Sequence, residues 1–317
     1  MEAFWYYAAV LLAKTITALP LRLVARLGRF GGGVAYWLDA RHRRVALENF
    51  RRCMPELSGT ERRGMVREHY RRLGENYVSA IKTSMMSREE LRPHLEIVGE
   101  ERLAAHGTRG AIVAIGHFAN FELYVHVGTG VPGVRRAATY RGLKQQRLEG
   151  LVRRLRDLSG CHFFERRRDG RALRATLSEG SVVLGLLADL HAGRKGLNLR
   201  FLNQECSVSA APALFALRYN LPLHTAICFR VGLARWRIEI NEEIPTRVNG
   251  KRREVSDVAA EITAAFEAAI HRDPPNWFWV HDRWRFVKRD RAAALAASQS
   301  APTASATQAP QGSPARR

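Results

Sequence analysis

A chain of 317 residues with 46% hydrophobic composition is long enough for one sizeable core. Its four cysteines, Cys53, Cys161, Cys206 and Cys228, contain no C-x-x-C pair, which excludes a small disulfide-stapled scaffold and predicts free thiols in a reducing compartment, with no structural zinc. Lysine and arginine total 51 against 30 acidic residues, a formal net charge of +21, and such a charge asks for an anionic counterpart: nucleic acid, lipid headgroups or an acidic carrier protein. The arginines are spread along the chain, a distribution that an Arg-rich genome composition also produces.

The N-terminus opens on an apolar, aromatic run over 3–13, broken by Lys14 and resumed over 15–19, with Arg22, Arg26 and Arg29 behind it. Aromatics at one end and arginines at the other suit a membrane interface. The run is too short and interrupted for a spanning helix. Glu2 and the lack of a small-x-small site argue against a cleaved signal peptide. The expectation is a retained membrane anchor over 1–25, with the domain behind it on the cytoplasmic side; the competing reading is a soluble amphipathic helix. Gly28 and Gly31 to Gly33 follow no predicted strand, so close helix packing fits them better than a dinucleotide loop. Ser58 and Glu61 form a capping box ahead of a helix running to about Lys82, with Val66, Tyr70, Leu73, Tyr77 and Ile81 on one face as core packing.

Beyond about Glu96 the pattern becomes α/β. Ala111 to Ile115 is a continuous apolar run and reads as a buried strand. A helix is predicted around 148–155, strands at 181–187, 223–229 and 236–240, and a late helix over 258–270 that Pro274-Pro275 ends. Strands alternating with helices predict a parallel or mixed sheet with helices on its faces. The main domain is assigned to 26–290. From Arg291 the composition falls to Ala, Ser, Thr, Gln and Pro, and 291–317 is expected to be a disordered tail.

The sharpest feature is Gly116-His117-Phe118-Ala119-Asn120-Phe121-Glu122, directly after the first buried strand. A strand end of an open α/β sheet is where ligands bind. Glu122 stands five positions past His117, about one and a half turns if a helix starts there. Its carboxylate could reach back to one imidazole nitrogen, fixing the tautomer and leaving the other nitrogen as a base toward a hydroxyl. Asp189 and His191 lack a third ligand at useful spacing, so no metal is expected there.

Further blocks accompany that motif. Gly160-Cys161-His162-Phe163-Phe164-Glu165-Arg166 has the form G-x-x-F-x-x-R, the strand at 181–187 leads to Ala188-Asp189-Leu190-His191, and Arg41 to Phe50 precedes the core that Asn276-Trp277-Phe278-Trp279-Val280-His281-Asp282-Arg283-Trp284 ends. Together these resemble the lipid A biosynthesis acyltransferases, the late lauroyl and myristoyl transferases of the lysophospholipid acyltransferase superfamily, over roughly 21–287. The resemblance implies a glycerophosphate-acyltransferase-like mixed sheet behind an N-terminal membrane-associated helix. It implies that His117 is the general base, Glu122 its orienting partner, and Arg166 a ligand for an anionic acceptor group. Asp189 would support the site or the acceptor sugar, or simply cap a strand end. Arg194 and Lys195 would contact phosphate or a carrier protein, or form a solvated loop. Leu190 departs from the family, whose members often carry a polar residue there, so the acceptor need not be a standard lipid A precursor.

The reaction implied is acyl transfer from acyl carrier protein, or acyl coenzyme A, to a hydroxyl of a membrane glycolipid, at the cytoplasmic face of the inner membrane and without a resident cofactor. Other acceptors in play are a mannosylated phosphoinositide, an aminolipid and a lysophospholipid. A basic nucleic-acid-binding protein is the non-enzymatic rival, but no binding motif accompanies the charge. A serine hydrolase lacks its G-x-S-x-G elbow.

Overall fold

The order of elements follows from where apolar residues recur and where proline and capping residues interrupt them. In the computed structural model, residues 2–142 and 145–284 are described. The chain divides into one unit, Met1–Arg283, and a second, Trp284–Arg317, of which only Trp284 is described. The expected tail at 291–317 lies outside the described residues.

Helices come first: α1 (Glu2–Ala18), α2 (Leu21–Leu38), α3 (Ala40–Cys53), α4 (Gly59–Thr83) and the single turn α5 (Arg88–Leu91). The α/β portion then runs β1 (Leu95–Val98), α6 (Glu100–Ala104), β2 (Ala111–Ile115), β3 (Arg135–Tyr140), α7 (Gln146–Asp157), β4 (His162–Glu165), α8 (Gly170–Glu179) and β5 (Val182–Leu187). It continues through β6 (Leu197–Phe201), β7 (Gln204–Val208), α9 (Ala211–Tyr219), β8 (Leu223–Gly232), β9 (Arg235–Ile240), β10 (Arg247–Val248), β11 (Lys251–Arg252) and α10 (Val255–Arg272).

Seven strands form one sheet in the order β1-β9-β8-β2-β5-β3-β4. β8, β2, β5, β3 and β4 are mutually parallel, β9 turns back antiparallel to β8, and β1 runs parallel to β9. The sheet is therefore mixed, as the alternation of elements predicts. All five residues of β2 are buried, as a strand covered on both faces requires. Ala111, Val113 and Ile115 join a core cluster with Leu103, Leu123, Trp236 and Ile238. Ile112 and Ala114 alternate to the other face, where α9 packs on β2 and α10 on β8.

α4 ties the N-terminal helices to this sheet. Ser58 and Glu61 close the predicted capping box. Glu75, fully buried, accepts from Arg29 Nη1 (3.3 Å), Arg230 Nε (2.8 Å) and the Ala234 backbone N–H (3.0 Å), so one carboxylate joins α2, α4 and the β8–β9 hairpin. The predicted close packing of glycines occurs where α2 crosses α4: a Cβ at Gly28 would stand 2.6 Å from the Gly74 carbonyl oxygen, and one at Gly32 would strike the Tyr70 carbonyl. Gly31, in contrast, faces open space. The stripe predicted as core on α4 divides. Val66 and Tyr70 are buried, while Leu73, Tyr77 and Ile81 line an apolar groove.

The N-terminal apolar run breaks at Pro20 into two helices. No described helix is long and apolar enough to cross a membrane.

Candidate active site

β2 sits in the middle of the sheet between β8 and β5, so the residue leaving its C-terminal end emerges between two neighbouring strand ends. Gly116 makes the turn possible: a Cβ there would lie 2.5 Å from the Phe118 ring and 3.2 Å from the Asp189 carboxyl carbon. Ala119 adopts φ +43°, a left-handed conformation that a non-glycine residue holds only when its surroundings enforce it. Here its N–H donates to the Asn276 carbonyl (2.9 Å), and Phe118 pairs with Trp277 in an antiparallel bridge. The final segment of the unit thus clamps the His117 loop. That segment is itself held by Asn49, whose amide donates to the carbonyls of Trp279 (2.8 Å) and His281 (2.9 Å), and by His69, whose Nδ1 donates to the Pro275 carbonyl (3.1 Å).

The carboxylate at the imidazole is Asp189, two residues beyond β5. Its Oδ1 lies 2.8 Å from His117 Nδ1, and its Oδ2 accepts from the His117 backbone N–H (2.8 Å) and from Trp277 Nε1–H (2.7 Å). Arg283, buried beneath, donates to the Asp189 carbonyl and lies 4.3 Å over the Phe201 ring. Asp189 is 1% exposed. Burial alone would raise its pKa, yet the adjoining His117 imidazole and the hydrogen bonds from His117 and Trp277 outweigh this and hold it below the usual 3.8. An ionised carboxylate only accepts, so His117 carries its proton on Nδ1 and keeps a lone pair at Nε2.

Glu122 does not make the contact that its spacing suggested. Its carboxylate is bound by Arg156 of α7, through Nη2 (2.7 Å) and Nε (3.2 Å). A contact between Glu122 and the imidazole would need both residues on one helix. The chain instead turns at Ala119, and the 3₁₀ turn that carries Glu122 starts only at Phe121, so His117 lies outside it. Glu122 raises the Arg156 pKa above its ordinary value against the opposing effect of burial, and the guanidinium lies over the Tyr140 (5.5 Å) and Phe163 (5.3 Å) rings.

Two grooves meet at His117, Phe121, Glu122 and Arg156. One, of about 310 Å³, is apolar and runs along α4 from His69 to Ser84, with Phe278 opposite. The other, of about 530 Å³, is lined by Arg136, Tyr140, Arg141 and Arg166 and by His191 and His281. His281 there is pushed down to about 4 by burial and by nearby Arg283. His117 packs against Phe121 (4.9 Å between ring centroids) and Phe278 (5.8 Å). Arg166 therefore shares a groove with His117, whereas Arg194 sits exposed on the turn ahead of β6 and lines neither groove.

Sequence reasoning missed Arg156, Trp277 and Arg283. Trp277 and Arg283 belong to a block read only as the end of the core, and their link to Asp189 spans 88 and 94 positions. Arg156 carries no local signal among 51 basic residues.

A buried aspartate and its imidazole partner thus lie at the strand ends of a mixed α/β sheet, between one apolar and one cationic groove. Residues 1–286 match the family described as bacterial lipid A biosynthesis acyltransferase; the chain belongs to that family and is an acyltransferase. It is 25% identical over 274 residues, 84% of this chain and 86% of the relative, to the lipid A biosynthesis palmitoleoyltransferase of Escherichia coli strain K12. The same identity and coverage hold for a lipid A biosynthesis acyltransferase of Shigella flexneri.

Proposed function

We propose that this protein transfers a fatty acyl group from a thioester donor, acyl carrier protein or acyl coenzyme A, to a hydroxyl of a membrane glycolipid of the lipid A precursor class, with His117 as general base. The observation that carries this reading is the Asp189–His117 pair, whose Nε2 lone pair belongs to a ring lining both grooves. The acyl chain lies in the apolar groove along α4. The acceptor's anionic groups meet Arg141 and Arg166 in the cationic groove, and Arg194 is assigned to the outer part of the acceptor or carrier surface.

His117 Nε2 takes the proton of the acceptor hydroxyl as its oxygen attacks the thioester carbonyl. The oxyanion of the tetrahedral intermediate is stabilised by Arg156, which Glu122 holds in position. The intermediate collapses, the C–S bond breaks, and the leaving thiolate takes the proton from Nε2. An ester and a free thiol result, and no covalent enzyme intermediate is needed. Glu122 therefore acts through Arg156, and Asp189 is the residue that orients the base.

Exposed Arg153, Arg154, Arg167 and Arg168 lie on α7 and on the turn after β4, beside the cationic groove, and suit docking of an acidic carrier protein. We place the enzyme at the cytoplasmic face of the inner membrane. Leu27, Phe30, Trp37 and Leu38 of α2 are 53–79% exposed at spacings of one helical face, with Arg22, Arg26, Arg41 and Arg44 exposed around them. That composition suits a helix lying in the plane of an anionic membrane.

The test is acyl transfer by detergent-purified protein, supplied with acyl-loaded carrier protein and a panel of lipid acceptors and followed by mass spectrometry. A mass gain on a lipid A precursor that disappears in His117→Ala supports the assignment. A gain that survives in His117→Ala removes the proposed base.

A further inference from the structure

Three side chains able to bind metal converge at the other end of β2 from His117. His106 precedes the 3₁₀ turn leading into β2, His224 is the second residue of β8 and pairs in register with Val113, and Glu243 follows β9. The two Nε2 atoms are 2.9 Å apart, Glu243 Oε2 lies 3.8 Å from His106 Nε2, and all three ligand atoms fall within 4.8 Å of one another.

The surroundings prepare these atoms for coordination. His224 is 1% exposed, and its Nδ1–H donates to the Asn241 carbonyl (3.0 Å). That bond puts the His224 proton on Nδ1 and leaves a bare lone pair on Nε2, aimed at His106; a backbone carbonyl behind a metal-binding imidazole serves this purpose in known sites. Asn241 is fixed in turn, with its backbone N–H on the Thr225 carbonyl (2.9 Å) and its side-chain amide on Thr225 Oγ1 (2.8 Å). The nearby cation, Arg102, is bound by Glu242 (2.6 Å) and the Ile240 carbonyl (2.7 Å). Adjacent acids thus face different partners, Glu242 the guanidinium and Glu243 the imidazole.

We propose that His106, His224 and Glu243 form a binding site for one divalent transition-metal ion of the zinc or cobalt type. Two imidazoles and a carboxylate select such ions over calcium or magnesium, which prefer oxygen donors alone. Tetrahedral coordination at about 2.0–2.1 Å sets ligand nitrogens about 3.3 Å apart, so the two rings need open by only a few tenths of an ångström. Glu243, 46% exposed, leaves a fourth position accessible to water. The ion would clip the entry to β2, the start of β8 and the exit from β9, a structural role independent of acyl transfer.

The experiment uses full-length, tag-free protein in detergent, stripped by a chelator, titrated with Co²⁺ by visible absorption and with Zn²⁺ by calorimetry. The expected result is one ion per chain, a tetrahedral Co²⁺ spectrum without a thiolate charge-transfer band, and a dissociation constant raised at least 10-fold in His106→Gln and in Glu243→Gln. Both substituted side chains are partly exposed, so the variants should fold, which circular dichroism checks, and should keep their acyl-transfer activity. The proposal is overturned by wild-type protein that binds no stoichiometric Co²⁺, which leaves an ordinary hydrogen bond between two imidazoles. Equal affinity in His106→Gln, or a thiolate band placing the ion at a cysteine, overturns it as well.

Discussion

Asp189 grips His117 at two points, with Oδ1 on the ring Nδ1 and Oδ2 on the backbone N–H, each at 2.8 Å. One carboxylate therefore sets both the tautomer of the imidazole and the position of the loop that carries it. Asp189→Asn keeps the shape but presents an amide that can stabilise the opposite tautomer. The expected loss is about 10³–10⁴-fold in kcat with KM nearly unchanged, by analogy with the same change in a serine protease triad. Steady-state kinetics at a fixed acyl donor checks it. Trp277→Phe removes one donor to Oδ2 and should cost about 10-fold, the scale of a single lost hydrogen bond to a charged group.

Glu122 and Arg156 form a unit, and their substitutions should be non-additive. Glu122→Gln frees the guanidinium to rotate, and Arg156→Met removes it. Each is expected to lower kcat by about 10²–10³-fold, the usual cost of one oxyanion donor, with the double variant no worse than Arg156→Met. A double variant that loses the product of the two single effects would separate the residues. Restored activity in Glu122→Asp would identify positioning as the role of Glu122.

The groove along α4 should read acyl chain length. Ala80 lines it as the smallest side chain of its stretch. Ala80→Leu fills part of the roughly 310 Å³ cavity and should move the preference to shorter donors. A hydrophobic site discriminates by about 10–200-fold per methylene. Competition between donors of different length, read by mass spectrometry, gives the shift directly. An unchanged preference would take the chain out of this groove.

His69 makes stability depend on pH. Burial pushes its pKa down to about 4 from 6.5, against the opposing donation to the Pro275 carbonyl. The unfolded chain binds this proton below 6.5 and the folded chain only below about 4, so folding is disfavoured progressively as pH falls through that window. The effect is on the order of 3 kcal/mol at its full extent. His69→Gln retains a donor for Pro275 and should flatten the dependence of Tm on pH between 6.5 and 4. Some slope remains from His126 and His281, which are also lowered to about 4.

Much of this architecture is legible in local pattern. The capping box at Ser58 and Glu61, the uninterrupted apolar run of β2 and the proline pair after α10 are short-range signals with short-range causes, and each element forms where they predict. The α4 stripe reads as uniform core because periodicity reports an apolar face and not its neighbour. Only the packing of the His117 loop opposite leaves Leu73, Tyr77 and Ile81 lining a groove.

The sequence by itself determined the fold class, the strand that delivers His117 and the family to which the chain belongs, because these depend on residue type and order along the chain. Tertiary structure decided which groups meet. Asp189 reaches His117 because β2 and β5 are adjacent parallel strands, 72 positions apart in the chain. Arg156 reaches Glu122 across α7 for the same kind of reason, and His106, His224 and Glu243 converge because β8 and β9 bring three distant segments to one end of the sheet. Spacing along a chain predicts a contact only within one regular element. At Ala119 the backbone leaves that regularity, and the partner of the imidazole changes from Glu122 to Asp189.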